Sequence, residues 1–121
     1  MNSTAKGLHQ FWSSFGIPAY PEYAVPDDAA LPYITYELAQ PNWRDSSPYY
    51  ARVWYRDTSY VGITQKVDEI GNAIGEGVRV VIDGGYIFLF KDTTFIQFQP
   101  TDAEDEYVKI AYLQMTCHVL A

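Results

Sequence analysis

Apolar residues recur along this chain with two periods. Leu8, Phe11, Trp12 and Phe15 lie at helical spacing, predicting an amphipathic helix from about Ser3 to Phe15 that Gly16 and Pro18 then stop. Ile63, Val67, Ile70 and Ile74 repeat the pattern between Ser59 and Gly75, with Lys66, Asp68, Glu69 and Asn72 elsewhere on the wheel. Asp57 or Ser59 is placed to cap this second helix, and Gly75 and Gly77 bracket its end. Elsewhere the period is two. In Tyr33–Leu38, residues Ile34, Tyr36 and Leu38 share one face and Thr35 and Glu37 the other; in Tyr49–Arg56, Ala51 and Val53 oppose Arg52, Trp54 and Arg56. Val78–Ile82 and Tyr86–Phe90 flank Asp83-Gly84-Gly85, a hairpin signal. Phe95–Gln99 reads as a further strand. The last, Tyr107–Val119, sets Ala111, Leu113, Met115, Cys117 and Val119 against Gln114, Thr116 and His118. Pro18, Pro21 and Pro26 make 17–31 an extended connection, and Pro41–Pro48 and Thr101–Glu106 are polar loops. The predicted order is α-β-β-α-β-β-β-β, an α+β chain.

With 121 residues, 48% of them hydrophobic, the chain fits one domain over 1–121 that can bury a core without disulfide or metal support. Its single cysteine and two histidines exclude an intramolecular disulfide and an ordinary zinc site, and point to a reducing cytoplasm. No run of apolar residues approaches bilayer length, and the first residues lack a signal-peptide core, so no membrane partner is expected and an intracellular protein is. A net charge of −7 without a basic patch disfavours specific nucleic-acid binding. Tyr, Phe and Trp make up 17% of the chain, a density that suits a Tyr-rich sheet and also protein interfaces.

A search for catalytic groups comes back empty. Cys117 and His118 are adjacent on a strand, so their side chains point to opposite faces and cannot form a dyad. Cys117 reads as a core thiol, and His9 and His118 as surface or rim residues. Asp83-Gly84-Gly85 lacks the lysine of a phosphate loop and joins two strands. Asp102, Glu104, Asp105 and Glu106 are a charge cluster with two readings, a solvated loop or a divalent-cation site, although the spacing is not that of an EF-hand. No metal or cofactor is expected. Arg52 and Arg56 with Trp54 between them form either a polar interface patch or an exposed face of stacked side chains.

Several motifs in order carry a family resemblance. Leu31-Pro32-Tyr33-Ile34-Thr35-Tyr36, then Val53-Trp54-Tyr55-Arg56-Asp57-Thr58-Ser59-Tyr60, Lys66-Val67-Asp68-Glu69-Ile70 and Ile82-Asp83-Gly84-Gly85-Tyr86-Ile87 resemble the tail terminator, or tail completion, proteins of bacteriophages with long non-contractile tails. Phe95-Ile96-Gln97-Phe98, the acidic loop and Tyr107–Leu113 continue it, from about Phe15 to His118. The resemblance implies a mixed, mainly antiparallel sheet flanked by the two helices, in a subunit that assembles with itself as a hexameric ring. Such a ring ends the tail tube at its head-proximal side, in the virion's neck. Its partners would be the tail tube protein, the head-tail connector or stopper protein and the end of the tape measure, while genome DNA passes through without specific binding. Trp43, Arg44, Arg52, Trp54 and Arg56, with Asp102, Glu104, Asp105 and Glu106, become the candidate interface or lumen residues. Two alternatives stay open: a neck adaptor or stopper of the same virion region, and a small aromatic-rich ligand-binding module using Trp43 and Trp54.

Overall fold

A computed structural model describes residues 3–38, 46–99 and 105–120. Its elements are α1 (Thr4–Ser13), β1 (Ala19–Pro21), β2 (Tyr33–Tyr36), β3 (Ser47–Arg56), α2 (Val61–Ile74), β4 (Val78–Ile82), β5 (Gly85–Gln99) and β6 (Val108–Leu120). The fold is α+β, with two helices and one curled, mixed sheet of six strands in the order β1-β2-β3-β6-β5-β4. Every pairing is antiparallel except β1 with β2.

The order of elements, α-β-β-β-α-β-β-β, corrects the sequence-based one at two places that leave the strand number unchanged. Ala19–Pro21 forms a short strand inside the proline-rich connection, and Phe95–Gln99 continues the strand that begins at Gly85. Smaller differences are at the ends. Ser47 and Pro48 already belong to β3, and α1 ends at Ser13, with Phe15 still buried beyond it. Tyr60 is the N-cap of α2 and makes no side-chain cap bond, but the Ser59 hydroxyl accepts from the Val61 N–H at 3.3 Å.

Both helices lie on one face of the sheet. α2 rests on β3, β5 and β6, while α1 lies against the two edge strands β1 and β4, so the curl of the sheet is filled at its rim. The core is the sum of the periodic stripes. Leu8 and Trp12 of α1 meet Ile63, Val67, Ile70 and Ile74 of α2 and the inward set Ala111, Leu113, Met115, Cys117 and Val119 of β6, all at most 4% exposed. Ile70 is fully buried, so Ile70→Ala is expected to cost about 2–4 kcal/mol in urea unfolding, and a loss under about 1 kcal/mol would contradict this packing. Gly7 marks how close α1 comes to β4. A Cβ added there would lie 2.8 Å from Ile82 Cγ2 and 3.1 Å from the Val81 carbonyl oxygen.

Candidate functional site

Because both helices occupy one face, the alternate residues of the strands form a second face that, among the described residues, carries no helix. Register builds it row by row. Tyr33 pairs with Trp54, Trp54 with Ile110 and Ile110 with Gln99; the next row is Thr35, Arg52, Tyr112 and Gln97. Further along come Tyr50 with Gln114, then Thr116 with Phe90, and His118 with Phe88, which pairs on its other side with Arg79. Most of these side chains are half-buried. Tyr, Trp, Phe and Arg dominate the paired positions, and no lysine stands among them.

Arg52 is the centre of the face. Its guanidinium lies over the rings of Tyr50 and Tyr112, 5.1 and 4.9 Å from their centroids, and its Nε donates to Gln99 Oε1 at 3.4 Å. Two stacked rings hold the planar fork in a way that a lysine could not reproduce. Glu22, from the turn after β1, accepts the Tyr50 hydroxyl at 2.8 Å and lies 3.9 Å from Arg52 Nη1. The hydrogen bond to Glu22 pushes the Tyr50 pKa up, because ionising the phenol would remove a donor from a carboxylate. Beside this cluster the Trp54 Nε1–H donates to Thr35 Oγ1 at 2.9 Å, and Trp54, Tyr33 and Tyr20 continue as tilted and edge-on ring contacts. Between the Glu22–Val25 segment and Tyr33, Thr35, Arg52 and Trp54 runs an open groove of about 550 Å³.

The sequence-predicted residues divide accordingly. Arg52 and Trp54 come together at the groove. Arg56, at the far end of β3, instead donates through Nε to Asp105 Oδ2 at 2.9 Å and lies over Tyr107. That bond, together with the Tyr107 N–H at 3.0 Å, holds the Asp105 carboxyl below its usual range. Glu106 is exposed, and its carbonyl accepts from Lys109 Nζ at 2.8 Å. Trp43, Arg44, Asp102 and Glu104 lie outside the described residues. Cys117 is buried on the helix side and its thiol pKa is raised by that burial, while His118 points to the other face. His118 Nε2 is buried there with no hydrogen-bond partner among the described residues. His9 is exposed and shares a hydrogen bond with the Tyr36 hydroxyl at 3.2 Å.

Comparison with protein-family models, curated proteins and solved structures finds no match. Glu22, Tyr23, Tyr50 and Tyr112 are the residues that sequence reasoning did not single out. Tyr50 and Tyr112 have the same parity as Arg52 and Gln114, so alternation alone could have placed them on this face; Glu22 arrives from a turn, where no period operates. Among the described residues no helix is long and apolar enough to cross a membrane.

The opposite side of β3 carries a titratable group of another kind. Tyr49 is 1% exposed and its hydroxyl accepts from Trp12 Nε1 at 3.1 Å; burial pushes its pKa well above the ordinary 10.0. A raised folded-state value means that the contribution to stability is complete below pH 10.0 and is lost as the pH climbs towards the folded value. An alkaline titration followed by phenolate absorbance should show Tyr49 ionising only together with cooperative unfolding. Reversible ionisation of all eleven tyrosines in the folded chain would contradict it.

Proposed function

We propose that this chain is a structural subunit of a bacteriophage tail, a tail terminator that forms a six-membered ring on the head-proximal end of the tail tube. The supporting observation is the helix-free sheet face. Protein interfaces are enriched in Tyr, Trp, Phe and Arg and depleted in Lys, Glu and Asp, and the paired positions of this face follow that bias while the chain as a whole is acidic. A six-stranded sheet with one broad face left over by the two helices offers partner surface. In this reading the ring's own neighbours, the tail tube protein and the head-tail connector or stopper share that surface, and the end of the tape measure lies beneath. Net negative charge repeated around a lumen lets genome DNA slide past without adhering.

The decisive experiment mixes the purified chain with tail tubes lacking it and images them by negative stain. Rings at one end of each tube are expected. A chain that stays monomeric by light scattering and labels no tube end would overturn the reading. The groove beside Trp54 keeps the ligand-module reading in view, and saturable heat on titrating small sugars or aromatic compounds would favour that reading instead.

A further inference from the structure

Thr35 and Arg52 face each other in the register of β2 with β3, and two residues along the same face Tyr33 and Trp54 do the same. One side of the groove is therefore a pair of hydrogen-bond donors next to a pair of aromatic rings. Thr35 is only 6% exposed. Its Oγ1 accepts from the Trp54 indole, and among the described residues its own hydroxyl proton has no acceptor.

Arg52 is fixed by the rings of Tyr50 and Tyr112 and, through Nε, by Gln99, with 28% of its side chain exposed. Its terminal nitrogens are less well served. Among the described residues Glu22 is the carboxylate beside them, yet it lies 3.9 Å from Nη1, outside hydrogen-bond distance, and its Oε1 already accepts from the Tyr50 hydroxyl. Otherwise the guanidinium acts on that Tyr50 hydroxyl, a neutral group. A partner that covers this face takes both donors out of water. A guanidinium buried without an acceptor is far more costly than an unpaired neutral group.

We infer that the partner segment docking here presents a carboxylate to Arg52 and Thr35, with an apolar side chain beside it against Tyr33, Trp54 and Val25. This inference rests on the reading of the helix-free face as an interface and names the chemistry that the face selects. A carboxylate is the occupant because both unmet groups are donors and one of them is a cation. A lysine or a second arginine is repelled there, an apolar residue buries the fork unpaired, and a backbone carbonyl leaves its charge uncompensated. The planar fork, already held by two rings, suits the bidentate geometry of a carboxylate.

The probes are N-acetyl-L-leucine, a carboxylate with one apolar side chain, and its neutral amide. Titrated into the isotope-labelled chain, the acid should shift the Trp54 Nε1–H and Arg52 Nε–H signals saturably at millimolar concentration. The amide should shift them at least about fivefold less. Arg52→Lys keeps the charge and loses the fork, so it should weaken the acid and raise the concentration of chain needed to label tube ends, each at least about tenfold. No shift up to about 20 mM, equal shifts from acid and amide, or Arg52→Lys behaving like the parent in either assay overturns the inference. Should Arg52→Lys fail to melt like the parent, Glu22→Gln replaces it. That change spares the stacked rings, removes the competing charge and should tighten the acid at least about threefold without affecting the amide; an acid that binds no better overturns the inference. Tube ends read the ring separately. A parent that binds the acid and labels no tube end overturns the ring and keeps the carboxylate site, and one that labels tube ends and ignores the acid does the reverse.

Discussion

Trp12→Ala is expected to destabilise the chain by about 3–5 kcal/mol, with a further loss on the order of 1 kcal/mol from the hydrogen bond that the indole leaves behind. Trp12 is fully buried, its ring lies nearly parallel to those of Tyr36 and Tyr49 with centroids 6.3 and 6.4 Å away, and its Nε1–H satisfies the Tyr49 hydroxyl. It thus joins α1 to β2 and β3 through one side chain. The alanine variant loses apolar area, leaves a cavity between two tyrosines and strands a buried hydroxyl. Since domains are stable by only about 5–15 kcal/mol, this one change removes a large share of the total. Trp12→Phe separates the contributions by keeping much of the ring area without the donor. Urea unfolding should rank parent above Phe above Ala, and an alanine loss under about 1.5 kcal/mol would mean that α1 is not anchored through Trp12.

Trp12 was legible in the sequence because a helical stripe is local information. The same holds for Ile63, Val67, Ile70 and Ile74, and for the alternation of β6, where four turns of pattern or a dozen alternating positions leave little room for a second period. β1 was not legible. Ala19–Pro21 is too short to alternate, and what holds it extended is parallel pairing with a strand that comes later in the chain; the Pro18 carbonyl accepts from the Ile34 N–H at 2.9 Å and the Glu22 N–H donates to the Tyr36 carbonyl at 3.0 Å. The joining of Tyr86–Phe90 to Phe95–Gln99 was hidden for a different reason. Lys91-Asp92-Thr93-Thr94 looks like a loop, yet the strand runs through it with an irregular register because its polar groups find partners on neighbouring elements. Lys91 Nζ donates to the Gly71 carbonyl, Thr116 Oγ1 to Asp92 Oδ1 at 2.6 Å, and Gln114 Nε2 to the Thr94 carbonyl.

The candidate site divides along the same line. Parity on β3 put Arg52 and Trp54 together, and the structure keeps them together at the groove. Parity could not say that β6, the last strand, inserts between β3 and β5 and so brings Tyr112 under the Arg52 guanidinium, nor that Arg56 would be drawn to Asp105. Those are consequences of strand order, which depends on contacts far apart in sequence.

Gly77→Ala is the other large effect expected, about 2–6 kcal/mol from two sources that add. Gly77 follows α2 with its N–H donating to the Ile74 carbonyl at 2.9 Å, and it has φ +154°, a conformation that side chains rarely adopt; forcing one into it costs about 1–3 kcal/mol. A Cβ there would also stand 2.2 Å from Cζ of Phe88 and 2.8 Å from its Cε2, an overlap that must move the ring at a cost of about 1–3 kcal/mol. The sources are separable because Phe88 is on β5, on the helix-free face, beside Arg79 in register. In a Phe88→Ala background the overlap is gone and only the backbone cost remains, so Gly77→Ala should hurt less there by about 1 kcal/mol or more. Equal losses in both backgrounds would mean that the ring swings clear at no cost, and that Gly77 serves only to turn the chain from α2 into β4.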